Sequence, residues 1–324
     1  MTKQAIPDAL CAFHIRPTGE AKEVPVAGLD LTTASTDGYH WLHFDLDTLE
    51  FETWAAQMLP MTVAKALVQS ETRPRCDQTD GGLILNLRGV NLNPGADPDD
   101  MVSVRLWVTR GLIISARMRK IWAVDDIRRQ CETGKAPATI SAFLAELTYG
   151  LTKRIETVSL DLVETTDELE ENSLAQTRGL SADLAAARQS VIKLRRFVRP
   201  QTAAINELAD GKVWSLDAAC AALLRETANR TLRIMEELDA TVDRLQAVQD
   251  HLEMQHTSAL GRNSYVLSVV AAIFLPLGFL TGLFGINVGG MPGVASEYGF
   301  WIVSLGSAFI GVLLFAVFRL SKWL

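Results

Sequence analysis

Asp239, Asp243, Gln246, Asp250, Glu253 and Thr257 recur at spacings of three and four residues, so on an α-helix they share one face. Continued forward, the same line meets Ser264, Ser268, Ala271, Gly278 and Gly282, with Leu275 interrupting. On an ideal helix these small residues fall within about 60° of one direction. A single face therefore passes from carboxylates to small, weakly polar groups. Carboxylates concentrate cations, and hydroxyl oxygens accept hydrogen bonds from an ion's water shell without stripping it. Each half has a plainer explanation. Acidic residues on a long helix form a solvated face, and Gly278-x-x-x-Gly282 is a common helix-packing motif. Their alignment makes the wall of an ion path a competitor to both.

Stripping a divalent cation calls for several direct ligands, for zinc typically His, Cys or carboxylate. The two apolar stretches described below contain none of these, which leaves neither a tight metal site nor an imidazole or carboxylate there to carry a proton. His251 and His256 lie beside the acidic face but are five apart, the wrong spacing for chelation from one helix face. His256 and Glu297 are the remaining metal candidates. Cys11, Cys76, Cys131 and Cys220 are scattered without paired spacing, as ordinary reduced thiols are. His40 and His43 would point to opposite faces of a strand. No phosphate loop or nucleophile–base pair is present, so an enzyme is not expected.

The elements that must position this face are legible from charge exclusion. No Asp, Glu, Lys, Arg or His occurs from Asn263 to Ser296, nor again between Glu297 and Arg319. Tyr265 to Phe284 and Tyr298 to Phe318 are 20 and 21 residues long, each about enough to cross a hydrocarbon core of roughly 30 Å. Arg262 precedes the first span, Arg319 and Lys322 follow the second, and the link from Ile286 to Gly299 carries only Glu297. The positive-inside rule then puts both termini in the cytoplasm and the link outside. Trp301 and Trp323 lie near the ends of the second span, where such rings favour the interface. MTKQAIPDALC has no apolar core, so a signal peptide is not expected.

The soluble part divides near residue 137. Before it, Ala12 to Ile15, His40 to Leu46, Leu83 to Val90, Val102 to Thr109 and Leu112 to Arg117 read as strands, the last two joined at Arg110-Gly111 as a hairpin. Leu49 to Met58, Thr62 to Gln69 and Val124 to Thr133 read as helices, giving an α/β domain with substantial antiparallel pairing. After Pro137 the chain turns helical. One helix is expected over Thr139 to Gln176, a second from an N-cap at Ser181 to Asp210, and a third from Ser215 onward without a break before the membrane. Continuous into the first span, that third helix would reach roughly 100 Å. Met235, Leu238, Val242, Leu245 and Leu252 give it a packing stripe, which implies a bundle or an oligomer.

Between the spans stands TGLFGINVGGMPG, with five glycines in thirteen residues and no charge. GINVGGMPG after IFLPLGFLTGLF resembles the signature of the CorA metal-ion transporter family, whose first span ends in Gly-Met-Asn. Gly285-Ile286-Asn287 stands at that place, and this variant resembles the ZntB-like zinc-transporting branch. Ala272-Ile-Phe-Leu-Pro276 is similar to the family's mid-span proline motif, and Leu194-Arg-Arg-Phe-Val-Arg-Pro-Gln201 to its cytoplasmic helix signature. Arg73-Pro-Arg75 with Leu83 to Asn91 resembles its sheet, and Lys322-Trp-Leu324 its ending.

The resemblance implies a funnel-shaped homopentamer, with first spans around the pore and second spans outside. Residues 1–137 would form a cytoplasmic α/β domain and 138–261 a helical stalk. The membrane domain would be 262–324, with spans near 264–285 and 298–318 and an external loop at 286–297. By position Asn287 is the residue of the pore mouth beside Gly285 and Ile286; Gly278 and Leu275 lie along the pore, with Ala271, Ser268 and Ser264 on the same face. Asp250 falls on the funnel lining, with Asp239, Asp243 and Glu253. One departure concerns Val288-Gly-Gly-Met-Pro-Gly293, which lacks the acidic residues that magnesium-branch proteins carry after Gly-Met-Asn. The implied function is zinc uptake across the inner membrane, coupled to protons. The alternatives are a magnesium, cobalt or nickel channel on the same scaffold, and a membrane-anchored scaffold or sensor that conducts nothing. Zinc is cargo here. No prosthetic group and no nucleic-acid partner is expected; the partners are the bilayer, divalent metal ions and further copies of the chain.

Overall fold

The computed structural model describes residues 8–27, 29, 37–46, 49–79, 81–175, 177, 179–212, 214–286 and 296–321. It divides into two compact units, residues 1–249 and 250–324.

The first unit is built on a seven-stranded sheet. In chain order the strands are β1 (Cys11–Ile15), β2 (Ala21–Glu23), β3 (Tyr39–Asp45), β4 (Arg75–Thr79), β5 (Gly82–Gly89), β6 (Val102–Val108) and β7 (Leu112–Arg117), arranged β2-β1-β3-β7-β6-β5-β4. All neighbours pair antiparallel except β3 with β7. The β3–β7 register puts Trp41 beside Ile113 and His43 beside Ser115. Because side chains alternate along a strand, each run supplies two faces. Ala12, Leu42, Phe44, Ile84, Trp107 and Ile114 pack on α1 (Leu49–Met58) and α2 (Met61–Val68) through Phe51, Trp54, Val63 and Leu67. The other face, including Phe13, Trp41, Leu85 and Leu106, packs on α3 (Trp122–Glu132), α4 (Ile140–Leu174) and α5 (Leu180–Ala209).

The expected strands and helices are all present, and two strands are additional. β2 and β4 lie at the sheet's edges, and their runs AKE and RCDQT are too polar to alternate visibly. The start of α5 also differs from expectation. Gly179, at φ 92°, takes the N-cap position and Ser181 falls inside the helix; glycine enters that left-handed conformation without a Cβ clash. Thr139 caps α4 by accepting from the Ala142 N–H at 3.1 Å. Asp217 caps α6 (Ala218–Gly285) by accepting from the Cys220 N–H at 2.8 Å. Each satisfies a helix N–H that has no partner within the helix.

α4, α5 and the first part of α6 meet along a seven-residue repeat. α5 buries Leu180, Leu184, Ala187, Val191, Leu194 and Val198, and α6 buries Leu224, Thr231, Leu238 and Leu245, the 3-4 spacing of coiled-coil packing. On α4 the buried heptad positions Thr152, Ser159, Thr166 and Ser173 are small and polar. Thr166 returns its hydroxyl hydrogen to the Leu162 carbonyl at 2.7 Å, and Thr152 meets Thr231 at 3.2 Å. Charge clasps flank this core. The Arg244 guanidinium donates to Glu170 at 2.6 Å and to Asp167 at 2.5 Å, and Arg230 pairs with Glu156.

His40 and His43 do point to opposite faces. The His40 ring lies 4.8 Å from that of His14 across the β1–β3 pairing. His43 is buried, with Nδ1 2.8 Å from the Ser115 hydroxyl, which also accepts from Trp41 Nε1 at 2.8 Å. Burial, reinforced by the Arg117 charge, pulls the His43 pKa down to about 3. An unfolded chain therefore takes up a proton below about pH 6.5 that the folded chain refuses, and stability falls by about 1.4 kcal/mol per pH unit from there down to about pH 3. Thermal unfolding followed between pH 7 and 5 should show this decline, and His43→Gln should flatten it; an equal decline in both proteins would assign acid sensitivity to other groups.

Candidate functional site

In the second unit the last part of α6 runs alongside α7 (Gly299–Leu320), and both pass the length and hydropathy requirements for crossing a membrane. Val269 is buried and Ile273, Leu277 and Leu280 are half-buried, a stripe at spacings of four, four and three. α7 answers with Val303, Ser307, Ile310, Gly311 and Leu314, all half-buried. At Gly311 a methyl group would stand 3.5 Å from Leu277 Cδ1, so a small residue there lets the two helices approach.

The face expected to do chemistry is turned the other way. Ser264, Ser268, Ala271, Leu275, Gly278 and Gly282 are all exposed. At 100° per residue their mean direction lies about 180° from the stripe that meets α7. A Cβ built at Gly278 or Gly282 would touch nothing within 4 Å. Ser268 donates its hydroxyl hydrogen to the Ser264 carbonyl at 2.9 Å, which leaves its oxygen lone pairs as acceptors. Pro276 stands inside this stretch; having no N–H, it leaves the carbonyl of Ala272 without the usual partner. Gly285 ends the helix, and Ile286, exposed, closes its last turn by donating its N–H to the Gly282 carbonyl at 3.2 Å. Asn287 and Val288 to Gly293 lie outside the described residues.

Four acidic residues of α6 were expected on its polar face. Asp239 is clasped by two arginines of α5, at 3.1 Å from Arg195 and 2.9 Å from Arg199. Its charge is balanced at the bundle surface. Asp243, Asp250 and Glu253 are exposed. His256 and Glu297 are exposed as well, and His251 Nε2 lies 2.7 Å from the Gln255 carboxamide. Among the described residues, no three His, Cys, Asp or Glu side chains come together as a metal site. What the helix offers is hydroxyl and backbone oxygen, small side chains and, toward its cytoplasmic-type polar stretch, carboxylates. That set can accept hydrogen bonds from a hydrated cation's water shell and, among the described residues, offers no cluster of His, Cys or carboxylate ligands for a bare zinc ion.

Two features escaped sequence reasoning. The partners of Asp239 sit on another helix some 40 residues earlier, and no pattern within α6 announces them. The opposition of the small-residue face to the α7-facing stripe was legible in part. A period-3.6 search for Val269, Ile273, Leu277 and Leu280 gives the packing side once the small residues are assigned to the other.

Comparison with known proteins fits this geometry. The model of the CorA-like Mg2+ transporter protein family matches residues 36–320. The divalent cation transporter CmaX of Pseudomonas aeruginosa is 35% identical over 290 residues, covering 88% of this chain and 87% of that protein. The zinc transport protein ZntB of Pectobacterium atrosepticum is 35% identical over 289 residues, covering 88% of each. Among solved structures, full-length CmaX superposes with a TM-score of 0.81 at 32% identity, with both chains covered completely. The chain is therefore a membrane protein of the CorA-like Mg2+ transporter family, a divalent-cation transporter and not an enzyme.

Proposed function

We propose that this chain takes zinc into the cell across the inner membrane, driven by the proton gradient, through a pore lined by α6 in a parallel homopentamer. One observation carries the reading: the small, weakly polar face of α6 points directly away from α7 and is exposed, with nothing among the described residues within 4 Å of a Cβ placed at Gly278 or Gly282. A lipid-facing anchor gains nothing from serine and glycine there, whereas five such faces turned inward make a narrow wall of oxygen acceptors. In this arrangement Asn287 forms the mouth, Gly285 and Ile286 set its turn, and Leu275 is the narrowest apolar ring. Ser264 and Ser268 contact the ion's water shell. Asp243, Asp250 and Glu253 concentrate cations in a cytoplasmic funnel formed by residues 138–261, below an α/β domain of residues 1–137. Both termini are cytoplasmic, and residues 286–297 face outward. Zinc is favoured by the relatives named zinc transport protein and by the stretch Val288 to Gly293 after Gly-Ile-Asn, which lacks acidic residues. A magnesium, cobalt or nickel channel is the second reading, favoured by the family description and by the relative named only for divalent cations.

Uptake into proteoliposomes, with zinc, magnesium and the proton gradient varied separately, tests ion and coupling together. Zinc uptake that rises with an inward proton gradient is expected; uptake of magnesium alone, indifferent to protons, transfers the chain to the second reading. Gly278→Leu should abolish uptake while leaving the protomer's fold unchanged, since a Cβ there meets nothing within 4 Å among the described residues and the added side chain would converge with its own copies. Normal flux in that variant would move the pore elsewhere. Asn287→Gly should still assemble, because glycine ends a helix at least as well as asparagine, yet lose most uptake if the carboxamide forms the mouth.

The charged residues are tested separately. With Asp250→Asn and Glu253→Gln together, the initial uptake rate at low ionic strength should fall by about tenfold, and its dependence on salt should flatten. A rate unchanged at every ionic strength would remove these carboxylates from the path.

A further inference from the structure

Two motifs that transport leaves unused meet in space. Arg73-Pro-Arg75 leads into β4, and the Leu194 to Gln201 segment lies far along the chain in α5. The fold brings both to one open cleft of about 640 Å³ at the corner of the sheet, lined by Thr72, Arg73, Arg75, Arg88, Arg196 and Phe197, with Glu71 as its one acidic group among the described residues. The Gln201 carboxamide oxygen, 2.6 Å from the Arg88 N–H, fixes α5 against the end of β5 that β4 leaves uncovered.

Positive charge predominates in this corner, where Arg73, Arg75, Arg88 and Arg196 face a single lining carboxylate, Glu71, among the described residues. Arg88, half-buried, lies over the Phe197 ring at 4.0 Å and gives its donors only to carbonyls: Met101 at 2.7 Å and Thr72 at 2.8 and 3.3 Å. Arg105 is 1% exposed and donates to the carbonyls of Leu67 at 2.7 Å and Ser70 at 3.3 Å, while its Nε has no partner. Among the described residues, Arg73, Arg88, Arg105 and Arg196 form no ion pair; Arg75 alone has one, with Asp77 at 3.2 Å. Burial, and then the charge of Arg88, pushes the Arg105 pKa down to about 10. Burial, and then the charge of Arg196, lowers that of Arg88.

Buried cations are normally paired, because an unpaired one loses its hydration without return. Here several guanidinium groups of like sign converge instead. Two nearly buried polar atoms at the same cleft also lack partners, the Thr72 hydroxyl and the Asn86 carboxamide oxygen. The hydroxyl can donate to an anion, and a carboxamide turned over presents its N–H2.

We propose that this cleft binds a small phosphate-bearing anion. Arg73 and Arg196 meet its oxygens from two sides, the Thr72 hydroxyl donates to it, and the Arg88 charge stands beneath. Planar guanidinium forks suit phosphate oxygens, which accept paired hydrogen bonds. A second hollow of about 430 Å³ shares Ser70, Arg88, Arg196 and Phe197 and adds Met101 and Met118, with Asp99 and Asp100 on its wall paired to Lys193, giving room for an uncharged organic portion such as a nucleoside. The site lies in the sheet domain and does not depend on which cation is carried.

Calorimetric titration of the full-length protein in detergent, without added metal, tests this with four probes: inorganic phosphate, tripolyphosphate, ATP and adenosine. Saturable binding of tripolyphosphate and ATP, and none of adenosine, is expected in about 0.15 M salt, where unspecific surface attraction is screened. Tighter binding of ATP than of tripolyphosphate identifies a nucleotide site, and equal binding a site for the phosphate chain alone. Arg73→Ala and Arg196→Ala, both exposed and free of structural ion pairs, should each weaken binding by about tenfold, with Arg196→Lys recovering part of it. Arg233→Ala, on α6, serves as the charge control and should change nothing. Absence of saturable binding, or binding indifferent to Arg73 and Arg196, overturns the proposal. So does a shift in oligomeric mass in the two alanine variants without anion binding by the parent, which would make the cleft a seat for a neighbouring copy's carboxylate.

Discussion

α6 must bury a stripe in two different solvents, and most of the structure follows from how it does so. In its water-exposed part the drive is hydrophobic, and Leu224, Leu238 and Leu245 are removed from water against α4 and α5. Each such side chain contributes about 1.5–3 kcal/mol when fully buried. In its apolar part that drive is absent, because lipid is as apolar as leucine, and association rests on close packing. Val269, Ile273 and Leu277 on α6 with Gly311 on α7 supply it. The stripe occupies one side of the helix in each part, and the residues left over are the ones to which the proposed function is assigned. A helix whose neighbours surrounded it could not present Ser264, Ser268 and Gly278 to anything.

Electrostatics sorts the remaining side chains. Carboxylates facing the bundle are neutralised by arginine: Asp239 by Arg195 and Arg199, Glu170 and Asp167 by Arg244, Glu156 by Arg230. Hydrogen bonding to Arg244 holds the Glu170 carboxyl below the ordinary range, so that clasp is complete at neutral pH and is released only as acid titrates it. Exposed clasps of this kind contribute little stability each; their effect is to fix which helix faces meet. Asp243, which no such clasp claims among the described residues, remains at the surface with its charge directed outward. The distinction between a clasped and an outward-facing carboxylate is thus a matter of which neighbour an arginine reaches.

That distinction marks the limit of what a sequence discloses. Elements with strong periodicity, such as β5, β6 and α5, were readable because one face of each is continuously apolar. The two membrane-type helices were readable from charge exclusion alone. The edge strands β2 and β4 were not, since a strand paired on one side can be polar on both faces. The α4 heptad of Thr152, Ser159, Thr166 and Ser173 was invisible for a related reason. Buried hydroxyls satisfied by their own helix, as Thr166 is, read as surface residues in any hydropathy pattern. The small-residue face of α6 could be drawn on a helical wheel, whereas its direction relative to α7 required the fold. The pairing of Asp239 needed the three-dimensional neighbourhood of α5.

A wall of serine, glycine and backbone oxygen also constrains how selectivity can arise. Discrimination between zinc and magnesium by ligand softness needs imidazole or thiolate, and neither span contains one. In the proposed pore a preference would then act on the hydrated ion, through the width left between α6 helices and the field of the carboxylates. In that pore the width follows from Leu275, its narrowest apolar ring, and from Gly278 and Gly282, where an added methyl group meets nothing within 4 Å among the described residues. The field is set by exposed carboxylates that salt can screen. Selectivity of this kind is coarse at each point and must be accumulated along the helix, which is a physical reason for the polar face to extend over so many turns and not to converge on a single site.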